Sequence, residues 1–144
     1  MIKKIFVTTF NYSLYERYAN KLIDSYLTTD QNLQLYCYVE DEVELYPKNK
    51  NIVYLNLYTQ QPLCFKFVER NKDKSKINSK VSYLLDSVRF SYKVFAQSDA
   101  RKYSQQFFYI DADTEFLKKI PNDWFNKCLP NDTLLSIYDR IGYY

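Results

Sequence analysis

The sequence predicts a single α/β domain in which helices flank a mainly parallel central sheet. Short apolar runs, rich in β-branched and aromatic residues, alternate with longer amphipathic segments. The first of these runs is apolar on both faces, as strands buried inside a parallel sheet are. The chain has 144 residues, 47% of them hydrophobic, which is enough for one domain with its own core, so we expect one domain over residues 1–144.

The chain opens with a strand and an amphipathic helix. KKIFVTTF, residues 3–10, is short, β-branched and aromatic, and it is the first predicted strand. Residues 13–27 form the first predicted helix, because their apolar residues recur every four positions. Ser13 and Glu16 match the S-x-x-E capping box, which predicts that the helix begins at Ser13.

Two more strands and a charged connection follow. LQLYCYVED, residues 33–41, and NIVYLNL, residues 51–57, are the second and third predicted strands. Residues 69–80, ERNKDKSKINSK, carry charges of both signs, so we predict an exposed, charged connection between structural elements. A contact between its lysines and phosphate groups is the alternative interpretation.

The next helix carries a polar stripe between two apolar faces. It is predicted over residues 81–103, with Phe90 and Val94 on one of the apolar faces. Arg89 and Lys93 belong to the stripe and are one turn apart, so they project together. A helix that is apolar on both flanks is buried on both flanks, and we therefore expect the stripe to point into a groove. Alternatively, the two residues are ordinary surface cations beside aromatic side chains.

The fourth predicted strand, QFFYIDADT at residues 106–114, ends on two aspartates. If the strand continues through Asp111 and Asp113, their carboxylates lie on one side and repel each other, unless a cation, a proton or water compensates. Open α/β sheets bind ligands at the carboxyl ends of their strands. A hard divalent cation accepts one or two carboxylates there, together with phosphate and water. An acidic turn without a ligand is the alternative.

The last third of the sequence predicts two further elements. Residues 116–125, FLKKIPNDWF, predict a turn and a short helix with Pro121 near its start. Residues 132–140, DTLLSIYDR, predict a fifth strand.

Several classes of function are excluded by residues that the sequence lacks. The single glycine rules out a GxGxxG loop and a P-loop, and the lack of histidine rules out Ser-His-Asp and Cys-His catalysis. No stretch approaches the length of a membrane span. The net charge of +3 does not require a nucleic-acid partner, and we expect none. Three widely spaced cysteines fit a reducing compartment, so we expect a cytoplasmic protein.

Four segments resemble the N-terminal, donor-binding half of the GT-A glycosyltransferases: IFVTTFNYSLYERY, LYCYVED, SVRFSYKVFA and FFYIDADTEFLKKIP. A helix with R-x-x-x-K, followed by an apolar strand ending in DAD, is the usual order in that superfamily. The resemblance implies a Rossmann-like GT-A fold and a metal-dependent enzyme that transfers a sugar from a UDP- or GDP-type donor. A non-catalytic nucleotide- or sugar-binding remnant of the same fold is the alternative.

The resemblance also implies roles for individual residues. Asp111 and Asp113 match the DxD motif, which holds Mn²⁺ or Mg²⁺ against the donor diphosphate. Arg89 and Lys93 match helix positions that contact the diphosphate or the sugar. The other donor-binding residues that it implies are Thr8, Thr9, Asn11, Tyr12, Glu40 and Asp41. A core position for Tyr12 and a solvated strand end for the two acids are the alternatives.

The chain departs from the GT-A pattern in its length. A GT-A domain usually has roughly 200 residues or more, as single α/β domains often do. The half that binds the acceptor is missing, and with it the third metal ligand, which is often histidine, and the catalytic acid or base. We therefore expect a GT-A domain that is truncated at its C-terminus, with its acceptor and catalytic residue unassigned.

Overall fold

The computed structural model describes residues 2–73 and 86–133 and contains a four-stranded sheet. The strands are β1 (Lys4–Phe10), β2 (Leu35–Val39), β3 (Ile52–Asn56) and β4 (Gln106–Tyr109). All three pairings are parallel, in the order β3-β2-β1-β4. The prediction of an α/β fold with a parallel sheet is confirmed. Nearly all of the predicted fifth strand, 132–140, lies outside the described residues.

The helices of the described residues lie between and beyond these strands. They are α1 (Tyr12–Leu14), α2 (Asn20–Thr28), α3 (Leu57–Gln60), α4 (Pro62–Asn71), α5 (Ser87–Ala100) and α6 (Asn122–Cys128). A π-helical turn, Tyr15–Ala19, joins α1 to α2, and a 3₁₀ turn, Val43–Leu45, follows β2. Residues 69–71 of the predicted connection are the last turn of α4, and residues 74–80 lie outside the described residues.

The sheet has a helical layer on each face, because successive strand residues point to opposite sides. Phe6 and Phe10 of β1 face one core, which contains Ile23 of α2 and Phe125 of α6. Ile5 and Val7, Tyr36 and Tyr38 face the other core, which contains Leu57 of α3, Cys64 of α4, and Ala96 and Ala100 of α5. The two inner strands β1 and β2 are buried on both faces, which explains why their sequences are apolar on both faces, whereas β3 and β4 are mostly half-buried.

The first helix begins one residue earlier than predicted. Asn11 is its N-cap, and the Asn11 Oδ1 accepts a hydrogen bond from the Leu14 backbone N–H at 2.9 Å. Ser13 lies inside the helix and is exposed. The predicted Ser13–Glu16 capping box is therefore wrong, because a side chain caps a helix only from the position that precedes it.

Among the residues that the structure describes, helix α5 is buried on one flank only. Residues 81–85 of the predicted helix lie outside the described residues, and the helix that is described begins at Ser87. Its buried side has the small residues Ser91, Ala96 and Ala100, while Phe90 is 39% exposed and Val94 is 65% exposed. The expectation of two buried flanks is therefore wrong for the described part of the chain, because only one layer of described residues packs against this helix.

No helix within residues 2–73 and 86–133 is long and apolar enough to span a bilayer.

Candidate functional site

A cleft of about 520 Å³ lies at the carboxyl ends of β1 and β4. Strand β1 has β2 on one side and β4 on the other, so the chain order reverses between β1 and β4. Parallel α/β sheets bind ligands at such a reversal, because the connections to the two strands diverge there and leave a crevice. The volume is within the range of small-molecule sites.

The cleft brings together seven of the ten residues that the sequence suggested. They are Thr9, Asn11, Glu40, Arg89, Lys93, Asp111 and Asp113. The alternation of side chains along the strands accounts for much of this selection. Thr9 and Glu40 point to the sheet face that α5 covers, whereas their neighbours Thr8 and Asp41 point to the opposite face.

The three other suggested residues support the fold from positions outside the cleft. Thr8 is fully buried, and its hydroxyl has no hydrogen-bond partner among the described residues. The Tyr12 ring packs against those of Tyr15 and Tyr46, with both centroid distances 5.9 Å. The Asp41 Oδ2 accepts hydrogen bonds from the Tyr12 backbone N–H at 2.5 Å and from the Tyr46 hydroxyl at 3.1 Å. Asp41 therefore fixes the start of the first helix.

The two aspartates lie in a turn that follows β4. The strand ends at Tyr109, and the Ile110 N–H donates one further ladder hydrogen bond to the Val7 carbonyl at 2.9 Å. The Thr114 N–H then donates to the Asp111 carbonyl at 3.0 Å, which closes the turn. Asp111 and Asp113 are both exposed at the cleft. The strand thus stops before the motif, and the turn lets both carboxylates reach water.

Lys93 forms an ion pair with Asp111 across the cleft. The Lys93 Nζ donates to the Asp111 Oδ1 and lies 5.7 Å from the ring centroid of Tyr109 and 5.8 Å from that of Phe90. Arg89 lies one turn earlier on α5, is exposed and lines the same cleft. The predicted projection of both cations into a groove is therefore found.

Glu40 lies deeper in the cleft, at the end of β2. Burial raises the pKa of its carboxyl group to about 7, and the nearby charge of Asp41 adds to this effect. Hydrogen bonds from the Asn11 and Tyr92 side chains act in the opposite direction. The Tyr58 hydroxyl in turn donates to the Tyr92 hydroxyl at 3.3 Å. Neighbouring side chains thus hold the Glu40 carboxyl group in position, and its charge changes near neutral pH.

The cleft also contains residues that the sequence did not suggest as site residues. Tyr109 lies beside Thr9, with 3.1 Å between their hydroxyl oxygens, and burial raises the Tyr109 pKa to about 12. The alternation of side chains along a strand places Thr9 in the cleft. The same alternation in β4, where Tyr109 lies two residues before Asp111, would have indicated that Tyr109 also lines the cleft. Arg17 and Tyr18 line the cleft from the π-helical turn. The extra residue of a π turn shifts the helix face that follows, and no sequence period indicates this shift.

The described residues offer a divalent metal only part of a coordination shell. Groups of three or more histidine, cysteine, aspartate or glutamate side chains placed to hold a metal are not found among residues 2–73 and 86–133. Asp111 and Asp113 nevertheless fit Mg²⁺ or Mn²⁺ that takes its other ligands from phosphate and water, since such ions are often held by one or two carboxylates. The residues fit a metal that binds together with a phosphate ligand.

A second and larger groove, of about 920 Å³, runs beside β4 and α6. Phe6, Phe108 and Trp124 line it, and so does Thr133, the last described residue. The aspartates and the α5 cations line the smaller cleft and are not among the residues of this groove. The smaller cleft is therefore the candidate site.

Comparison with known proteins gives no match among family models, curated proteins or solved structures.

Proposed function

We propose that this chain is the donor-binding domain of a metal-dependent glycosyltransferase of the GT-A type. It binds a UDP- or GDP-sugar and transfers the sugar to an acceptor. One observation supports the proposal most: the crevice at the reversal of strand order contains two carboxylates after β4 and two cations of α5. Carboxylates for a hard cation and Arg and Lys for phosphate oxygens are the groups that a metal-bound diphosphate requires.

The charged residues act on the diphosphate. Asp111 and Asp113 would hold Mn²⁺ or Mg²⁺, which would supply positive charge against the negative charge that grows on the leaving diphosphate. Lys93 supplies a mobile point charge, and Arg89 supplies a planar fork that matches two phosphate oxygens. Both cations lie on one face of α5, so a single rigid helix orients them.

The polar residues at the ends of β1 and β2 bind the nucleoside. Thr9, Asn11 and Glu40 line the same cleft as the aspartates. The Glu40 carboxyl group accepts hydrogen bonds when it is ionised and gains one donor when it is protonated. It can therefore recognise hydroxyl or N–H groups of a ribose or base at the inner end of the cleft.

A binding domain without transferase activity is the second candidate. It is favoured by the protein contacts of two of the acids: Asp111 is paired with Lys93, and Glu40 accepts hydrogen bonds from Asn11 and Tyr92. Neither acid is then placed to take a proton from an acceptor. Release of free sugar from UDP- or GDP-sugars by this chain with Mn²⁺ would exclude the binding-only role.

Calorimetric titration tests the proposal. We expect UDP or GDP to bind in the presence of Mn²⁺, and Asp111→Asn and Asp113→Asn to weaken that binding at least about tenfold, since each removes a charged metal ligand. Glu115→Gln is the matched control, because Glu115 is exposed, follows the same turn and lies outside the cleft. Equal nucleotide affinity in all four proteins would refute the role of the two aspartates.

A further inference from the structure

The ion pair between Lys93 and Asp111 places a cation where the proposed metal would bind. The Lys93 Nζ contacts one carboxylate oxygen of Asp111, and its ammonium group also lies over the faces of Tyr109 and Phe90. The Lys93 side chain is 34% exposed and that of Asp111 is 53% exposed. The pair is therefore accessible to ions from solvent and is held mainly by its own charges.

We infer that Lys93 is the counter-ion of Asp111 in the ligand-free cleft, and that a divalent cation binds Asp111 only by displacing it. An ammonium group and a divalent cation repel each other, so Lys93 at contact distance from Asp111 opposes the binding of a divalent cation to the same carboxylate. An exposed ion pair of this kind contributes little to stability, which makes it breakable. A divalent ion competes with twice the charge but must first lose part of its hydration shell.

The exchange links the metal to its partner ligand. A Lys93 ammonium that leaves Asp111 remains beside the cleft on the rigid helix α5, where phosphate oxygens are its best new acceptors. Metal and diphosphate should then strengthen each other's binding, and this coupling is reciprocal. The coupling rests on the proposed function, whereas the competition for Asp111 does not, because it concerns the metal alone.

Binding of Mn²⁺ alone, followed by electron paramagnetic resonance at pH 7, tests the competition. We expect Lys93→Met to bind Mn²⁺ about fivefold more tightly than the wild type, which is the upper end of what an exposed ion pair contributes. Lys127→Met is the matched control: it removes the same charge from an exposed pair with Asp123 on α6, outside the cleft, and should leave Mn²⁺ affinity unchanged. Adding Asp111→Asn to Lys93→Met should abolish the gain.

Equal Mn²⁺ affinity in the wild type and Lys93→Met would overturn the inference, and so would a failure of Lys93→Met to bind Mn²⁺ at millimolar concentrations. An equal gain in Lys127→Met would also overturn it, because the effect would then be one of overall charge. Inorganic pyrophosphate gives a second measurement: it should raise Mn²⁺ affinity more in the wild type than in Lys93→Met. If UDP and GDP fail to bind while the Mn²⁺ difference persists, the proposed function fails and the competition stands.

Discussion

Replacing Glu40 by glutamine should stabilise the protein at alkaline pH. Glu40 combines a half-buried carboxyl group with neighbours that only partly compensate its charge. Glutamine has nearly the same shape and retains an oxygen that can accept from Asn11 or Tyr92. The change therefore removes the charge and leaves the packing in place.

The magnitude follows from the raised pKa. The folded state keeps the Glu40 proton up to a pH of about 7, whereas the unfolded chain releases it near the ordinary value of 4.5. Between these values the folded state binds more protons, so the stability contribution of this group is lost as the pH rises from about 4.5 to about 7. At about 1.4 kcal/mol per pH unit, the ionised group costs about 3 kcal/mol above pH 7.

Urea unfolding of the wild type and Glu40→Gln at pH values between 4 and 8 measures this cost. The variant should be close to the wild type at pH 4 and more stable by up to about 3 kcal/mol at pH 8. Glu42→Gln is the control, because Glu42 is an exposed acid in the same segment. A difference between Glu40→Gln and the wild type that does not change with pH would refute the reasoning.

Two further substitutions test the fold around the cleft. Asn11→Ala should cost about 1 kcal/mol of unfolding free energy, because the Asn11 side chain caps the first helix. Ser13→Ala should cost less than about 0.5 kcal/mol, because Ser13 lies inside the helix and does not cap it. Urea unfolding at pH 5 measures both costs, and the reverse order would contradict the assigned cap. Tyr38→Phe should cost about 2 kcal/mol, because the Tyr38 hydroxyl donates to the fully buried Asp99 carboxylate at 3.0 Å; an unchanged thermal midpoint would show that this hydrogen bond contributes nothing.

The sequence predicted the first three strands well because their signal is local, whereas the fourth ends at Tyr109, five residues earlier than predicted. The apolar runs that became β1, β2 and β3 are buried in the sheet or packed against its cores, and burial is what their composition reports. The sequence failed where tertiary contacts decide the outcome. Phe90 and Val94 have the composition of a buried face, yet no described element covers them. Helices α3 and α4 were not predicted. In α4 the apolar residues Leu63 and Phe65 are exposed and Cys64 between them is buried, so apolar character does not identify the buried side of this helix.

The same distinction between local signals and tertiary contacts applies to the site residues. The alternation of side chains along a strand can be predicted from the sequence. Once Thr9 and Glu40 are assigned to one face of the sheet, it follows that their neighbours Thr8 and Asp41 point to the other face. The contribution of Arg17 was not readable, because it depends on the π-helical turn between α1 and α2. The structural role of Asp41 at the helix start also depends on a contact across 29 positions of the chain.

The charges of the cleft favour a metal-dependent ligand under the proposed function. The described residues that line it include four carboxyl groups and three cationic side chains: Glu40, Asp86, Asp111 and Asp113, against Arg17, Arg89 and Lys93. The lining has one negative charge in excess when Glu40 is ionised and is balanced when Glu40 is protonated. A diphosphate adds at least two negative charges, so the protein groups alone repel it or leave it uncompensated. A divalent cation restores the balance and frees Lys93 for phosphate, which is why metal and diphosphate should bind together and why neither should bind tightly alone.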